Sequence, residues 1–340
     1  MRHLGKAAFA AFCVGLATFG ATAPARAEVK ELRIGGQPGL PYLPFLVMEH
    51  FKLIEKHAAA SKLGELKASW ITRAGPAELI DAMLGGRLDM IGAGVPSLAT
   101  LYDKTAGTSR EVKALWALQS MPFYLVTNNP QVKTLRDFTE KDKIAVPSVK
   151  VSSQAIALQM AAAQVWGPEN YAKLDALTIS RGHPDAATAL MSGSGEITAH
   201  FASSPFYYFE LADPKIHKVL TSYEITGGEH TNGVLLATSA FYKANPEVCA
   251  VVRAAEEEAN AFIKAHPREA AEIYMKATND KTQQLDDVAK MIADPEVNYT
   301  TTPLNIMKIV SFMYRTGSYK NQAKQWQDLF HASAQGLSGS

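Results

Sequence analysis

Three stretches of this chain set a helix start directly behind a strand, and these are the places where its residues could do chemistry. Arg73-Ala74-Gly75-Pro76 ends an extended run and opens a helix, with proline where the missing N–H would be unpaired anyway. Ser152 or Ser153 can cap a helix running through Val165, and Pro205 opens another behind Ala202-Ser203-Ser204. A helix N-terminus leaves N–H donors without intrahelical partners and carries the positive end of the helix dipole. Three such ends converging would hold the oxygens of a sulfonate, carboxylate or nitrate, with Arg73 adding one cationic side chain. Arg73 could instead pair with Glu78 or Asp89, and Lys150 could be a solvated loop charge.

The elements that must position these groups follow from the hydrophobic pattern. Leu66 to Thr72 reads as a strand, and Leu79, Ile80, Met83 and Leu84 repeat at helical spacing until Gly85-Gly86 stops them. Leu88 to Ile91 reads as a buried strand and Gly92 to Ser97 as a loop, which completes a βαβ unit. Glu31 to Gly35 is a first strand running into Gln37-Pro38-Gly39, and Pro44 to Lys56 carries a helical pattern. Beyond Val112 to Leu118, residues 120 to 127 form an extended run that crosses into a second lobe. That lobe repeats the layout: strands at Lys143 to Pro147, Leu177 to Ser180, Ile197 to Phe201 and Val219 to Ile225, with helices between. Asn232 to Ser239 looks like the return crossing, and helical signals dominate from Asn245 onward. The fold class is α/β, two-lobed and hinge-closing, with lobe I at 28–122, lobe II at 123–230, and a return to lobe I over 231–340.

Ligands of open α/β sheets bind outside the carboxyl ends of the strands. On that ground the candidate contacts from lobe I are Gln37, Pro38, Gly39, Tyr42, Arg73, Gly75, Gly94, Val95 and Pro96. Those from lobe II and its crossing are Lys150, Ser152, Ser153, Ala202, Ser203, Glu229 and His230. Tyr42, Trp70, Phe206 and Tyr207 could stack on a ring, although aromatic side chains serve cores by default. His183, before Pro184, reads as a cap or turn residue, and His200, inside a strand, as a buried hydrogen-bonded imidazole. His183, His200 and His230 show no metal-ligand spacing, so no metal and no cofactor is expected.

The start of the chain sets the compartment. Arg2 and Lys6, an apolar run from Ala7 to Phe19 and the box Ala25-Arg26-Ala27 form a secretory signal with cleavage after Ala27. Removing it takes Lys plus Arg from 34 to 31 against 33 Asp plus Glu, a net charge of −2. That balance gives no footing for nucleic acid or an anionic membrane. Only Cys249 remains of two cysteines, so the fold rests on its core rather than on a disulfide. A soluble periplasmic monomer suits these features. There is no Gly-x-Ser-x-Gly elbow and no P-loop, and Cys249 lies on the apolar stripe of a helix, so catalysis has little to stand on.

Gly35-Gly-Gln-Pro-Gly-Leu-Pro-Tyr-Leu-Pro44, Ala82-Met-Leu-Gly-Gly-Arg-Leu-Asp-Met90 with Gly94-Val95-Pro96, and His200-Phe-Ala-Ser-Ser-Pro-Phe206 resemble one known group across nearly all of the chain beyond the signal. They resemble the solute-binding proteins of the nitrate/sulfonate/taurine group of ABC importers. The group includes binders of pyrimidine precursors and related thiamine-pyrimidine synthases, whose cysteine-rich active sites this chain does not match. The resemblance implies a periplasmic binding protein of type II, with two lobes, each a mixed five-stranded sheet, joined by two hinge strands. It implies a small-molecule ligand clamped between the lobes and, as partners, a membrane permease and its ATPase. A periplasmic sensor, an aromatic or pyrimidine-type ligand and a pyrimidine-synthase-like enzyme stay open as alternatives.

Overall fold

In the computed structural model, which describes residues 28–279, 281 and 283–340, the chain builds two sheets in turn and then returns to the first. The signal segment, residues 1–27, lies outside the described residues. The first pass lays down β1 (Glu31–Gly36), α1 (Leu43–Phe51), α2 (Leu53–Ala60), β2 (Lys67–Thr72), α3 (Pro76–Leu84), β3 (Met90–Gly94), α4 (Val95–Thr105) and β4 (Val112–Ser120). The second sheet takes β5 (Tyr124–Thr127), β6 (Ile144–Val146), α5 (Ser153–Trp166), β7 (Thr178–Ser180), α6 (His183–Ser192), β8 (Ala199–Ala202), α7 (Phe206–Ala212), β9 (His217–Thr221) and α8 (Ser222–Thr226). The chain then re-enters the first sheet as β10 (Thr231–Thr238). It finishes with α9 (Ser239–Ala244), α10 (Pro246–Ala265), α11 (Pro267–Thr278), α12 (Leu285–Ile292), β11 (Asn298–Tyr299) and α13 (Ile306–Arg315).

Both sheets share one design. The first has the order β11-β4-β10-β3-β1-β2 and the second β7-β6-β8-β5-β9. β1 runs parallel to β2 and β3, and β6 parallel to β7 and β8. In each sheet the strand arriving from the other lobe, β10 or β5, inserts antiparallel to both of its neighbours. The chain thus crosses between sheets twice, between β4 and β5 and between α8 and β10. The first sheet has six strands rather than the five implied by the resemblance, because the two-residue β11 extends it beyond β4.

Local chemistry explains where the elements differ from expectation. The helical pattern from Pro44 to Lys56 breaks at Lys52, whose φ of 51° separates α1 from α2. No loop spans Gly92 to Ser97: β3 runs through Gly94 and α4 begins at once, with Pro96 in its first turn. Gly92 is needed inside that strand because a Cβ there would lie 2.7 Å from Tyr42 Cε1. The expected strand from Val219 to Ile225 stops at Thr221, where Thr221 and Glu224 form a capping box that starts α8.

Leu32, Ile34, Met90, Leu115, Trp116 and Leu235 of the first sheet bury against α1, α10 and α11. Glu256 of α10 is fully buried in that layer, with Oε2 accepting the Trp116 indole N–H at 2.7 Å and Oε1 without a partner. Burial pushes its carboxyl up to about 8. The folded protein therefore holds a proton that the unfolded chain releases above the ordinary carboxylate value, and stability falls as pH rises from there through about 8. Glu256→Gln keeps the acceptor for Trp116 and cannot ionise. Thermal melts should show the variant several degrees more stable than wild type at alkaline pH and little different at acid pH, where both side chains are neutral.

Candidate functional site

The parallel strands of both sheets point their carboxyl ends at the seam between the lobes, and the helices that follow start there. Gly75 caps α3, Gly94 caps α4, Ser152 caps α5, Gly182 caps α6 and Pro205 caps α7. Ser152 Oγ accepts from the Ala155 N–H at 3.3 Å and donates to the Ser148 carbonyl at 2.8 Å. The seam closes tightly at glycines. Gly94 faces Ser153 so closely that any Cβ would overlap Ser153 Oγ, and a Cβ on Gly75 would stand 2.9 Å from the Pro147 carbonyl oxygen. One backbone bond also spans the seam, from the Leu40 N–H to the Ser204 carbonyl at 3.1 Å.

Between these contacts lies a cavity of about 40 Å³, enough for about one or two waters. Gln37, Tyr42, Gln119 and Asn232 wall it from the first lobe, and Ser152, Ser153, Gln154, His183 and Ser203 from the second. Among the described residues that line it there is no Lys, Arg, Asp or Glu. Gln37 Nε2 donates to the Tyr42 hydroxyl at 2.6 Å, which in turn donates to the Gly92 carbonyl at 3.3 Å. Asn232 Nδ2 donates to the Met121 carbonyl at 3.1 Å, which fixes its amide and leaves Oδ1 buried without a partner. The Gln119 amide is also buried, and Oε1 has no partner, but no bond fixes which end of it faces the cavity. A buried acceptor left open, as Asn232 Oδ1 is, calls for a donor.

Behind the second-lobe wall runs a buried chain of titratable groups. Gln154 Nε2 lies 3.2 Å from His183 Nε2, His183 Nδ1 lies 2.8 Å from His200 Nε2, and His200 Nδ1 lies 2.5 Å from Glu210 Oε1. Burial holds Glu210 well above the carboxylate range, His200 down at about 3, and His183 well below its usual value with His200 adding to the effect. The chain is thus a relay of neutral groups that ends at the cavity. Among the described residues no three His, Cys, Asp or Glu are placed to hold a metal ion.

A second, larger cavity of about 420 Å³ adjoins the first and shares Gln37, Pro38 and Tyr42 with it. Phe45, Trp70 and Tyr274 line it from the first lobe, Pro184 and Phe206 from the second. Phe45 sits 5.4 Å from Trp70 and 5.8 Å from Tyr42, ring centre to ring centre, in tilted pairs.

Of the residues expected from sequence, the structure brings Gln37, Pro38, Tyr42, Gly94, Ser152, Ser153 and Ser203 to the small cavity, and Gly39 to the large one. Gly75 stands at the seam. Val95, Pro96 and Ala202 are buried at element ends without lining either cavity. Arg73 is exposed at the end of the edge strand β2, donating to the Thr72 carbonyl at 2.9 Å with Glu78 4.0 Å away. Lys150 is exposed, and Glu229 is exposed and accepts from Asn298 at 3.1 Å. His230 is buried away from the cavity, against the Ser222 hydroxyl at 3.0 Å and the Thr231 carbonyl at 3.1 Å. His200 is the buried strand histidine expected. His183 opens α6 as expected, but its side chain turns inward to His200 and the cavity rather than capping the turn. Gln119, Gln154 and Asn232 were not singled out from sequence. The Ser-Ser-Gln run at the start of α5 could have pointed to Gln154 alone. Cys249 is buried and its thiol is pushed up to about 12 by that burial.

No family model matches the sequence, and no curated protein matches it. Solved structures do. The alkanesulfonate-binding protein SsuA of Xanthomonas axonopodis pv. citri, bound to MOPS, superposes with a TM-score of 0.67 at 18% identity, over 85% of this chain and 94% of that one. The periplasmic aliphatic sulphonate-binding protein SsuA of Escherichia coli gives 0.63 at 17% identity, over 89% and 92%. The periplasmic nitrate-binding protein NrtA of Synechocystis PCC 6803 gives 0.66 at 13% identity, over 89% and 85%. The chain has the periplasmic binding protein fold, and these neighbours belong to the sulfonate and nitrate group that its motifs resemble.

Proposed function

We propose that this protein is the substrate-binding component of an ABC uptake system. It captures a small anionic organic solute of the sulfonate, taurine, nitrate or carboxylate class between its lobes and delivers it to a membrane permease and its ATPase. It does so as a periplasmic monomer released from its signal after Ala27. The observation that carries the reading is the convergence of four helix starts, those of α3, α4, α5 and α6, from both lobes on one cavity with an uncharged polar wall. Helix N-termini can hold oxygens without a cationic side chain, since their N–H groups point at the ligand and the dipole favours negative charge. A cavity of about 40 Å³ is too small for entry of such a solute without the lobes parting, and the two crossings are where the backbone can hinge.

A thermal-shift series over sulfonates, nitrate, carboxylates, aromatic acids and pyrimidines tests the reading. A ligand at 100 times its dissociation constant adds about 2.7 kcal/mol, a rise of several degrees in Tm. The same ligand should reduce the radius of gyration in small-angle scattering. If no solute raises Tm, or a saturating one leaves the radius unchanged, the capture reading fails. A second reading, an aromatic or pyrimidine-type solute, is supported by the ring-lined cavity beside the cleft.

A further inference from the structure

The two cavities meet at the Gln37–Tyr42 pair, and both lobes contribute walls to each. Their chemistry differs. The small one is polar and carries a buried acceptor oxygen without a partner, Asn232 Oδ1, beside the Gln119 amide, which no hydrogen bond fixes. The large one, about 420 Å³, falls within the usual range for small-molecule sites and is walled by the rings of Tyr42, Phe45, Trp70, Phe206 and Tyr274. One molecule spanning both needs a compact polar head, a hydrogen-bond donor on that head, and an apolar body.

We propose that the captured solute is an aromatic compound with a primary carboxamide head: its ring lies against Trp70 and Phe206, and its amide lies in the cleft. This rests on the solute-capture reading in its second form, an aromatic solute, and takes that form in place of the anionic class. The amide N–H groups answer Asn232 Oδ1, which a carboxylate or sulfonate leaves open. Its carbonyl oxygen faces the helix N-termini. Tilted rings along the wall favour an aromatic body over a saturated one of equal size, because ring edges and faces attract beyond the area they bury.

Calorimetry on the chain beginning at Glu28, with benzamide, benzoate, cyclohexanecarboxamide and taurine as probes, tests the assignment. Benzamide should bind about ten-fold more tightly than benzoate, which leaves Asn232 Oδ1 open. It should bind about five-fold more tightly than cyclohexanecarboxamide. Trp70→Ala removes the ring wall and Leu46→Trp fills the large cavity from its half-buried α1 position. Each should weaken benzamide about ten-fold, and two variants of opposite size guard against one that fails to fold. If taurine binds and benzamide does not, or if both variants bind benzamide like wild type, the aromatic assignment is overturned and solute capture stands. If none of the four binds and the wider thermal-shift series is also silent, both readings fall.

Discussion

Gly94→Val is expected to lower affinity for the captured solute about 100-fold while leaving each lobe folded. Gly94 has an ordinary φ of −70°, so a side chain brings no backbone strain there. What it brings is a clash across the seam. A Cβ would overlap Ser153 Oγ and meet Ser153 Cβ and the Asn232 carbonyl at 3.4 Å. Ser153 Oγ can swing aside for a single methyl, since its only bond is a long 3.4 Å contact to the Asn232 carbonyl. Gly94→Ala should therefore be mild. The branched valine leaves no such escape and wedges the lobes apart. Overpacking of this kind costs about 1–3 kcal/mol, up to 100-fold in a dissociation constant when all of it falls on the closed state. Calorimetry reads the loss and small-angle scattering reads the failure to compact. Pairing Gly94→Ala with Ser153→Ala should bind no worse than Ser153→Ala alone, because the overlapping oxygen is gone. A Gly94→Val protein that binds and compacts normally would show that the seam does not close on the ligand.

What was legible in the sequence was what local chemistry encodes. Gly75-Pro76 and Ser152 announce helix starts through the proline and the hydroxyl, and they stand at the seam because helix starts that follow parallel strands share one edge. The capping box at Thr221 and Glu224 was equally local but was masked by the apolar run around it. Arg73 shows where local reading ends. Its position just after a strand is correct, yet β2 is the edge strand of its sheet, so its end lies at the rim while the cavity sits over β1, β3 and β10. Strand order is set by long-range pairing, and one residue's neighbours do not report it. The same holds for Asn232, whose side-chain partner is 111 residues away.

The relay from Glu210 to the cavity carries the other large expectation: affinity should fall about ten-fold as pH rises through the Glu210 carboxyl's raised range, and Glu210→Gln should abolish that fall. Three groups on three elements, at 183, 200 and 210, share their protons in sequence. While Glu210 is protonated, its O–H donates to His200 Nδ1, His200 Nε2–H donates to His183 Nδ1, and His183 Nε2–H faces the cavity, with the Gln154 amide turned so that its oxygen rather than Nε2 meets the ring. Burial favours this state, because it keeps every member neutral, with Glu210 held high and both imidazoles held low. Removing the proton reverses every bond. His200 Nδ1–H then donates to the Glu210 carboxylate, His183 Nδ1–H to His200, and His183 Nε2 becomes an acceptor. A solute oxygen that met a donor now meets a lone pair, and losing one such bond is worth about 1.4 kcal/mol, ten-fold in affinity. The folding side has matching signs. Glu210 is raised, so its burial weighs on stability as pH climbs above the ordinary carboxylate range. The histidines are lowered, so theirs weighs as pH drops below the ordinary imidazole value. Glutamine at 210 donates an amide N–H to His200 and holds the donor state at every pH. Its affinity for an oxygen-bearing solute should stay flat across that raised range, and its alkaline stability should exceed that of wild type. Identical pH profiles for Glu210→Gln and wild type would show that Glu210 packs the lobe without setting the polarity of the cleft.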